Sequence, residues 1–544
     1  VPMYIERVPN RNSPPAILLR ASVREGRSVR KRTLANLSHW EPLRIEALRR
    51  ALRGEFDHLA PSERICGPVF AVLFVLKEVA ADLGIPRALG PGRVGKLELF
   101  LMLARVAHQG SRLSAVRWAK DHAVQEILGL EPFDEDDLYA ALQEVASRQE
   151  AIEQRLYAHY VKRRGSAPVL FLYDVTSSYL EGQKNELGEF GYNRDGQRGK
   201  LQIVVGLLTD SEGEPLAVRV FSGNTSDPTT VPEQIDILKQ RFEVQVVVFV
   251  GDRGMVKSKG KQALTGANLH YLTALTDPQI RKLLKRGTIQ LGLFEEKVCE
   301  VEADGLRYLL RKNATEARKE LHRVEDKLAK LEAKVGARNA QVEQSERCQP
   351  ESGRRQLQEW IERHKLGSFV SLTLHERTLS LQIDGAAREK AGELAGCYVI
   401  ETDVPQAWLD AQTAHDRYKD LRHVERDLRT LKTGLLEIRP IFVRKEARTR
   451  GHVFLCMLAL KLARELQRRL AAVFGTTDAD PQAVTLKDAL AALHRLCLTF
   501  YRMEDSVQVP FLPTPDEHQA RILEALKVRL PQKLQNVDRK QLSR

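Results

Sequence analysis

The sequence predicts an α/β protein: a mixed sheet at the centre, an inserted segment that interrupts it, and helical regions before and after. Two observations lead to this class. Between residues 166 and 276, apolar runs of strand length alternate with helical patterns. Outside that window, apolar residues recur mainly at three- and four-residue steps.

Val169-Leu170-Phe171-Leu172-Tyr173-Asp174 is continuously apolar up to its aspartate, the pattern of a strand buried on both faces. Ile203 to Leu208 and Leu216 to Val220 follow as two further strands, joined by the turn-forming Ser211-Glu212-Gly213-Glu214. Val231 to Phe242 is predicted as a helix, and Val244 to Val250 as an apolar strand running into Gly251-Asp252. A helix from about Lys259 to Thr265 then leads to a strand from His270 to Leu275. Three strands, a helix, a strand, a helix and a strand is the order of an RNase-H-like α/β core.

The flanking segments differ in texture. Residues 1–54 carry twelve Lys or Arg against four Asp or Glu. Ile17 to Val23 and Lys31 to Leu34 flank Arg24-Glu25-Gly26-Arg27, which predicts a small basic hairpin. From Glu41 to about Arg163 the pattern is helical, as in Leu97, Phe100, Leu101 and Ala104, or Leu138, Leu142 and Val145. Asp134-Glu135-Asp136-Asp137 places carboxylates where a helix N-terminus favours them. Residues 277–400 interrupt the core as a mixed, β-rich insertion. In it Leu321, Val324, Leu328, Leu331 and Val335 predict a helical arm or hairpin, and Ser368 to Ile383 alternates like strands. A long helix from about Asp416 to Thr433 follows. The expected divisions are a hairpin-like region 1–54, a helical region 55–165, a core in two parts 166–276 and 401–460 around the insertion 277–400, and a helical C-terminal region 461–544.

Composition narrows the function. A chain of 544 residues exceeds one hydrophobic core, and its 43% apolar content excludes wholesale disorder. A net charge of +13 and a pI near 9.4 favour a polyanionic partner. Six cysteines without CxxC or Cys/His spacing exclude the usual structural zinc patterns and a disulfide framework. The apolar run Val453 to Leu460 stops at Lys461, too short for a membrane span, and no secretion leader is evident. The expected location is therefore the cytoplasm.

Three carboxylates stand out. Asp174 and Asp252 each follow an apolar strand, where a side chain can enter a crevice while the strand fixes its position. Two such groups on neighbouring strands can bridge hard divalent cations; a lone strand-end aspartate more often only opens a turn. In Tyr418-Lys419-Asp420-Leu421-Arg422-His423-Val424-Glu425-Arg426-Asp427-Leu428-Arg429-Thr430-Leu431-Lys432, the residues Tyr418, Glu425 and Lys432 are spaced by seven. Seven residues make about two helical turns, so the three share a face. The bland reading of that run is a solvated charged face.

Tyr173-Asp174-Val175-Thr176-Ser177, Gly223-Asn224-Thr225-Ser226-Asp227 and Gly251-Asp252-Arg253-Gly254-Met255 resemble segments of insertion-sequence transposases of the DDE (Asp-Asp-Glu) type. The helix from Tyr418 to Lys432 is similar to that group's Tyr-Arg-Glu-Lys signature, with Leu421 where arginine is usual and Arg422 adjacent. The resemblance covers roughly residues 170–460. It implies an RNase-H-like catalytic domain with an inserted β-rich domain, and two Mg²⁺ or Mn²⁺ ions held by Asp174, Asp252 and Glu425. It also implies cleavage at terminal inverted repeats and joining of DNA 3′ ends to target DNA, by dimers or larger synaptic assemblies in a prokaryotic cytoplasm, at the nucleoid. Tyr418 and Lys432 would contact DNA phosphates. Arg422, beside the missing arginine, and Arg253 are further candidates for DNA contact, as are Arg194 and Lys200 in the Gly-rich connection before the second strand, which read equally as an exposed loop.

Weaker candidates are Arg198 and the basic run Arg444, Lys445, Arg448 and Arg450; His423 and His452 read as structural. The same carboxylates would serve an RNase-H-like nuclease that never joins strands, and a DNA-binding relic with a decayed centre is the non-enzymatic alternative.

Overall fold

The computed structural model describes residues 3–10, 14–25, 28–55, 63–194, 196–197, 199–244, 247–253, 255–432, 436–440, 442–476, 480, 483–502 and 508–531. The chain divides into two compact units that interleave in sequence: Val1–Glu78 with Val116–Pro132 and Arg469–Arg544, and Val79–Ala115 with Phe133–Arg468.

The first unit holds the basic hairpin, as Ala16–Glu25 paired antiparallel with Ser28–Asn36. A third strand, Met3–Val8, pairs with the other edge of Ala16–Glu25. Helix Pro42–Leu52 begins with a proline at its first position, where the missing N–H costs nothing. A second sheet joins Glu63–Val69, Cys497–Arg502 and Gln508–Phe511, strands that the helical pattern of both regions concealed.

In the second unit, the largest sheet among the described residues has eight strands. In chain order they are β1 (Leu170–Tyr179), β2 (Gln202–Asp210), β3 (Pro215–Ser222), β4 (Val248–Gly251), β5 (His270–Ala274), β6 (Cys299–Ala303), β7 (Leu306–Lys312) and β8 (Cys397–Thr402). Their spatial order is β6-β7-β8-β5-β4-β1-β2-β3. β1 pairs antiparallel with β2 and β2 with β3, whereas β1, β4 and β5 run parallel. The sequence β3-β2-β1-β4-β5, with β2 reversed, is the RNase-H-like arrangement. β6, β7 and β8 come from the inserted region and lengthen the sheet beyond β5 by antiparallel pairing.

β1 continues five residues beyond Asp174, so this aspartate lies mid-strand rather than at a strand end. The extension is Val175-Thr176-Ser177-Ser178-Tyr179, whose polar members hid its strand character; it pairs with β2 as far as Gln202. Phe171, Leu172, Tyr173, Phe249 and Val250 are completely buried, each contributing roughly 1.5–3 kcal/mol of burial free energy. Gly206 of β2 makes room for this packing, because a Cβ there would meet the Tyr173 hydroxyl at 2.2 Å.

Helices cover the sheet. Helix Glu135–Ser147 starts with the capping box formed by Asp134 and Asp137 and buries Leu138, Ala141, Leu142 and Val145. Helix Glu446–Phe474 approaches it closely at Gly451, where a Cβ would strike the Leu142 carbonyl at 1.9 Å. Within the inserted region, helices Ala314–Gln344 and Pro350–Arg363 pack with the hairpin Val370–His375/Thr378–Ile383. Leu328, Leu331 and Val335 enter that local core, so the heptad-like stripe is satisfied within the chain. Among the described residues, no helix is long and apolar enough to cross a membrane.

The segment expected as one long helix is two: α1 (Ala411–Lys419) and α2 (Leu421–Lys432), jointed at Asp420. Asp420 keeps right-handed helical torsions, φ −65° and ψ −13°, so the helical sense continues through the break. α2 packs on β1 and β2. Leu421, Val424, Leu428 and Leu431 form its buried stripe. Asp427, also buried, takes both carboxylate oxygens to Arg464 Nη1 at 2.6 and 2.7 Å.

Candidate active site

Register brings the two aspartates together. β1 and β4 pair in parallel as far as Tyr173 and Gly251; Asp174 is the next residue of β1, and Asp252 is the residue that follows β4. Neighbouring parallel strands lie about 4.8 Å apart, and residues in register face the same side. The Asp174 carboxylate accepts from the Val175 N–H at 2.7 Å, and Asp252 accepts from the Arg253 N–H at 2.6 Å. Thr273 Oγ1 on β5 donates to the Asp252 carbonyl at 3.3 Å, which holds the end of β4 against its neighbour.

The helix pair crosses this edge and is tied at both ends. The Tyr418 hydroxyl reaches Asp252 Oδ1 at 3.5 Å. Lys432 Nζ donates to Thr176 Oγ1 at 3.0 Å. Thr176 lies two residues beyond Asp174 and therefore on the same face of β1. Glu425 is midway between the two ties, exposed, and flanks the apolar stripe of α2 beside Leu421 and Leu428.

Electrostatics shows that the three acids share one field. Burial pushes the Asp174 carboxyl up from its usual 3.8 to about 7; Asp252 and Glu425 push the same way, and the Val175 N–H and Arg194 oppose them. Burial, then the Asp252 charge, likewise raises the Tyr418 hydroxyl. Among the described residues, none of the three carboxylates has a Lys or Arg ion-pair partner. The donor set is oxygen-only, negative and short of counter-charge, which fits a hard divalent cation. Among the described residues, no group of three or more His, Cys, Asp or Glu is drawn tightly enough to hold an ion. The acids thus share a field without a closed ligand shell.

The other candidates separate. Arg194 is at the site: its N–H donates to Ser177 Oγ at 2.9 Å, its guanidinium pairs with Asp227, and its charge is felt at Asp174. Arg253 pairs with Asp277 at 3.2 Å. Lys200 pairs with Glu181 at 2.8 Å, a carboxylate that also binds Arg439. Arg422 is exposed and Leu421 buried; the Arg422 charge is felt at Lys419 and His423. Arg198 lies outside the described residues. In the basic run, Arg444 and Lys445 are exposed, Arg448 stacks 5.1 Å from the Tyr139 ring, and Arg450 donates to the Val220 carbonyl. His452 is buried between Arg112 Nη1 and the Ile438 carbonyl, a structural position.

Sequence reasoning passed over Thr176 and Gln202. The two-residue phase from Asp174 was the available signal for Thr176. Gln202 has none: only the fold reveals that its Nε2 bonds the Gly223 carbonyl at 2.7 Å.

An RNase-H-like sheet with acids on two adjacent central strands defines the class. A family model described as the transposase DDE domain matches residues 165–462, more than half of the chain, and the chain belongs to this family. A second model, the N-terminal domain of IS1634 family transposases, matches residues 5–63, and together the two matches indicate an insertion-sequence DDE transposase. Among solved structures, the cryo-EM structure of a piggyBac transposase synaptic complex with hairpin DNA is similar at 9% identity. It has a TM-score of 0.34, with 78% of each chain covered. No curated protein matches the sequence.

Proposed function

We propose that this transposase cuts phosphodiester bonds at the ends of its element and joins the 3′ ends to target DNA, with Asp174, Asp252 and Glu425 as the catalytic acids. The observation that carries the reading is the register that sets Asp174 beside Asp252, under a helix tied down on either side of Glu425. The three acids would hold two Mg²⁺ or Mn²⁺ ions, which when bound supply nucleophile activation and leaving-oxygen stabilisation. Tyr418 and Lys432 set the height of the Glu425 helix above β1 and face the backbone of the bound strand. Arg194, held by Asp227, orients a phosphate beside Asp174. Arg253, Lys200 and Arg422 add positive charge along the strand's path, Arg422 in place of the arginine absent at position 421.

In this reading, residues 1–54 and the helices of 55–165 recognise the terminal repeats, and two or more copies pair the ends. The charge excess of residues 1–54 predicts binding that weakens steeply with salt. The test incubates the full chain, linear DNA bearing the element's ends, and a target plasmid with Mg²⁺. Joined products are expected. Nicks alone would replace the reading with a nuclease, and binding alone with a catalytically decayed relic.

A further inference from the structure

Cys66 and Cys497 come from opposite ends of the sequence and meet on one sheet of the first unit. Glu63–Val69 and Cys497–Arg502 pair antiparallel, with Cys66 opposite Thr499 and Val69 opposite Cys497. Between those pairs one strand supplies Gly67 and Pro68 and the other only Leu498, so the ladder is bulged. The residues explain the bulge: Pro68 has no N–H to give the ladder, and a Cβ on Gly67 would strike the Phe500 ring at 2.3 Å. Cys497 is two residues from Thr499 and therefore shares its face, which is also the face of Cys66. The two thiols hydrogen-bond there; burial and then the Cys66 sulfur push the Cys497 thiol above its usual pKa. Of the six cysteines Cys66 alone is exposed, Cys497 is half-buried, and both are free thiols.

An accessible thiol in contact with a sheltered one is the arrangement that thiol–disulfide exchange needs, one sulfur to meet the reagent and one to displace it. We propose that Cys66 and Cys497 are a reversible redox site, oxidised by a small-molecule disulfide to a bond that clamps the two ends of the chain together. Cys66 loses its proton to water and attacks one sulfur of the reagent; the reagent's S–S bond breaks, and its first half leaves and takes up a proton. Cys497 then loses its proton and attacks Cys66 Sγ, the mixed S–S bond breaks, and the second half of the reagent leaves as a thiol. Two protein thiols are oxidised to one disulfide, and the reagent is reduced to two thiols. Burial and the thiol contact disfavour the Cys497 thiolate, so Cys497 resolves the mixed disulfide and Cys66 forms it. The product joins the strand where the N-terminal family match ends to the C-terminal sheet. It closes most of the chain into a loop, which restricts the unfolded state more than the folded one.

The test treats the full chain with oxidised glutathione, blocks the remaining thiols with iodoacetamide, and maps the peptides without reduction by mass spectrometry. A cross-linked pair of peptides containing Cys66 and Cys497 is expected, lighter by two hydrogens than the separate peptides, and dithiothreitol should restore both thiols. The oxidised chain should melt several degrees above the reduced one. Cys497→Ser should stop at Cys66 with one glutathione attached, whereas Cys66→Ser should leave Cys497 a free thiol. A parent that keeps glutathione on Cys66 while Cys497 stays free would overturn the site, as would a disulfide between two chains, or no reaction at either cysteine. These three outcomes are read on the parent, so they stand whether or not a serine variant folds. A cross-link that leaves the melting temperature unchanged would overturn the clamp.

Discussion

Asp174→Asn, Asp252→Asn and Glu425→Gln are each expected to lower strand cleavage by roughly three orders of magnitude or more, while DNA binding in EDTA stays within a few-fold of the parent. The amides keep the shape of each side chain and remove the charge. Asp174 and Asp252 each follow the last in-register pair of β1 and β4, Tyr173 and Gly251, and Glu425 acts on the same field, so the loss of any one leaves an incomplete donor set. Residues that act as a unit lose most of their effect with the first substitution, and the double variant Asp174→Asn/Asp252→Asn should be hardly worse than either single one. Single-turnover cleavage of a labelled end reads the effect. A variant that retains cleavage within tenfold of the parent would remove that residue from the site.

The second large effect is expected far from the acids. Glu153, on helix Gln149–Arg164, is completely buried and accepts from Arg219 Nη1 and Nη2, both at 2.9 Å. It also accepts from Arg241 Nη1 at 2.6 Å and Gln149 Nε2 at 2.8 Å. One carboxylate thereby joins the helix, β3 and the end of the segment that precedes β4. Burial raises its pKa and Arg219 opposes that rise, the signature of an ion held by its partners. Glu153→Ala leaves two guanidinium groups in low dielectric with one anion fewer, at a cost of about 3–5 kcal/mol. That corresponds to a fall in melting temperature on the order of 10 °C for the unit that contains it. Calorimetry of Glu153→Ala against Glu150→Ala separates this network from a surface pair, because Glu150 meets Arg241 at the protein surface. A drop of less than about 2 °C for Glu153→Ala would show that the network carries no net stability.

Much of the catalytic sheet was legible because its strands are continuous apolar runs, and a run such as Val169 to Tyr173 admits few other readings. The seven-residue spacing of Tyr418, Glu425 and Lys432 foretold a shared face, and Tyr418 and Lys432 do reach Asp252 and Thr176 from it. The rest depends on pairing between distant segments. Glu63–Val69 becomes a strand by pairing with Cys497–Arg502, and no local pattern announces a partner so far along the chain. β6, β7 and β8 join the catalytic sheet because β5 leaves an edge with unpaired backbone groups, which antiparallel pairing satisfies. Arg194 shows the same limit on a single side chain. Composition presents it as one more loop cation, whereas the fold fixes it to Ser177 and Asp227 at the acidic edge.

Thermal unfolding of the parent and of Asp174→Asn, in EDTA and in Mn²⁺ across pH, reads out whether Asp174 belongs to an acidic site for divalent ions. With no ion bound, the folded protein holds the Asp174 proton to about pH 7, whereas the unfolded chain releases it near 3.8. Below about pH 4 the group contributes nothing to stability. Between about pH 4 and 7 the folded state loses stability as pH rises, and above 7 the loss levels off on the order of 4 kcal/mol. In EDTA at pH 8, Asp174→Asn should therefore melt above the parent, with the difference shrinking toward pH 4. Mn²⁺ should raise the parent's melting temperature and leave that of Asp174→Asn nearly unchanged. A variant that melts below the parent in EDTA at pH 8, or gains as much from Mn²⁺ as the parent does, would show that Asp174 is not part of such a site.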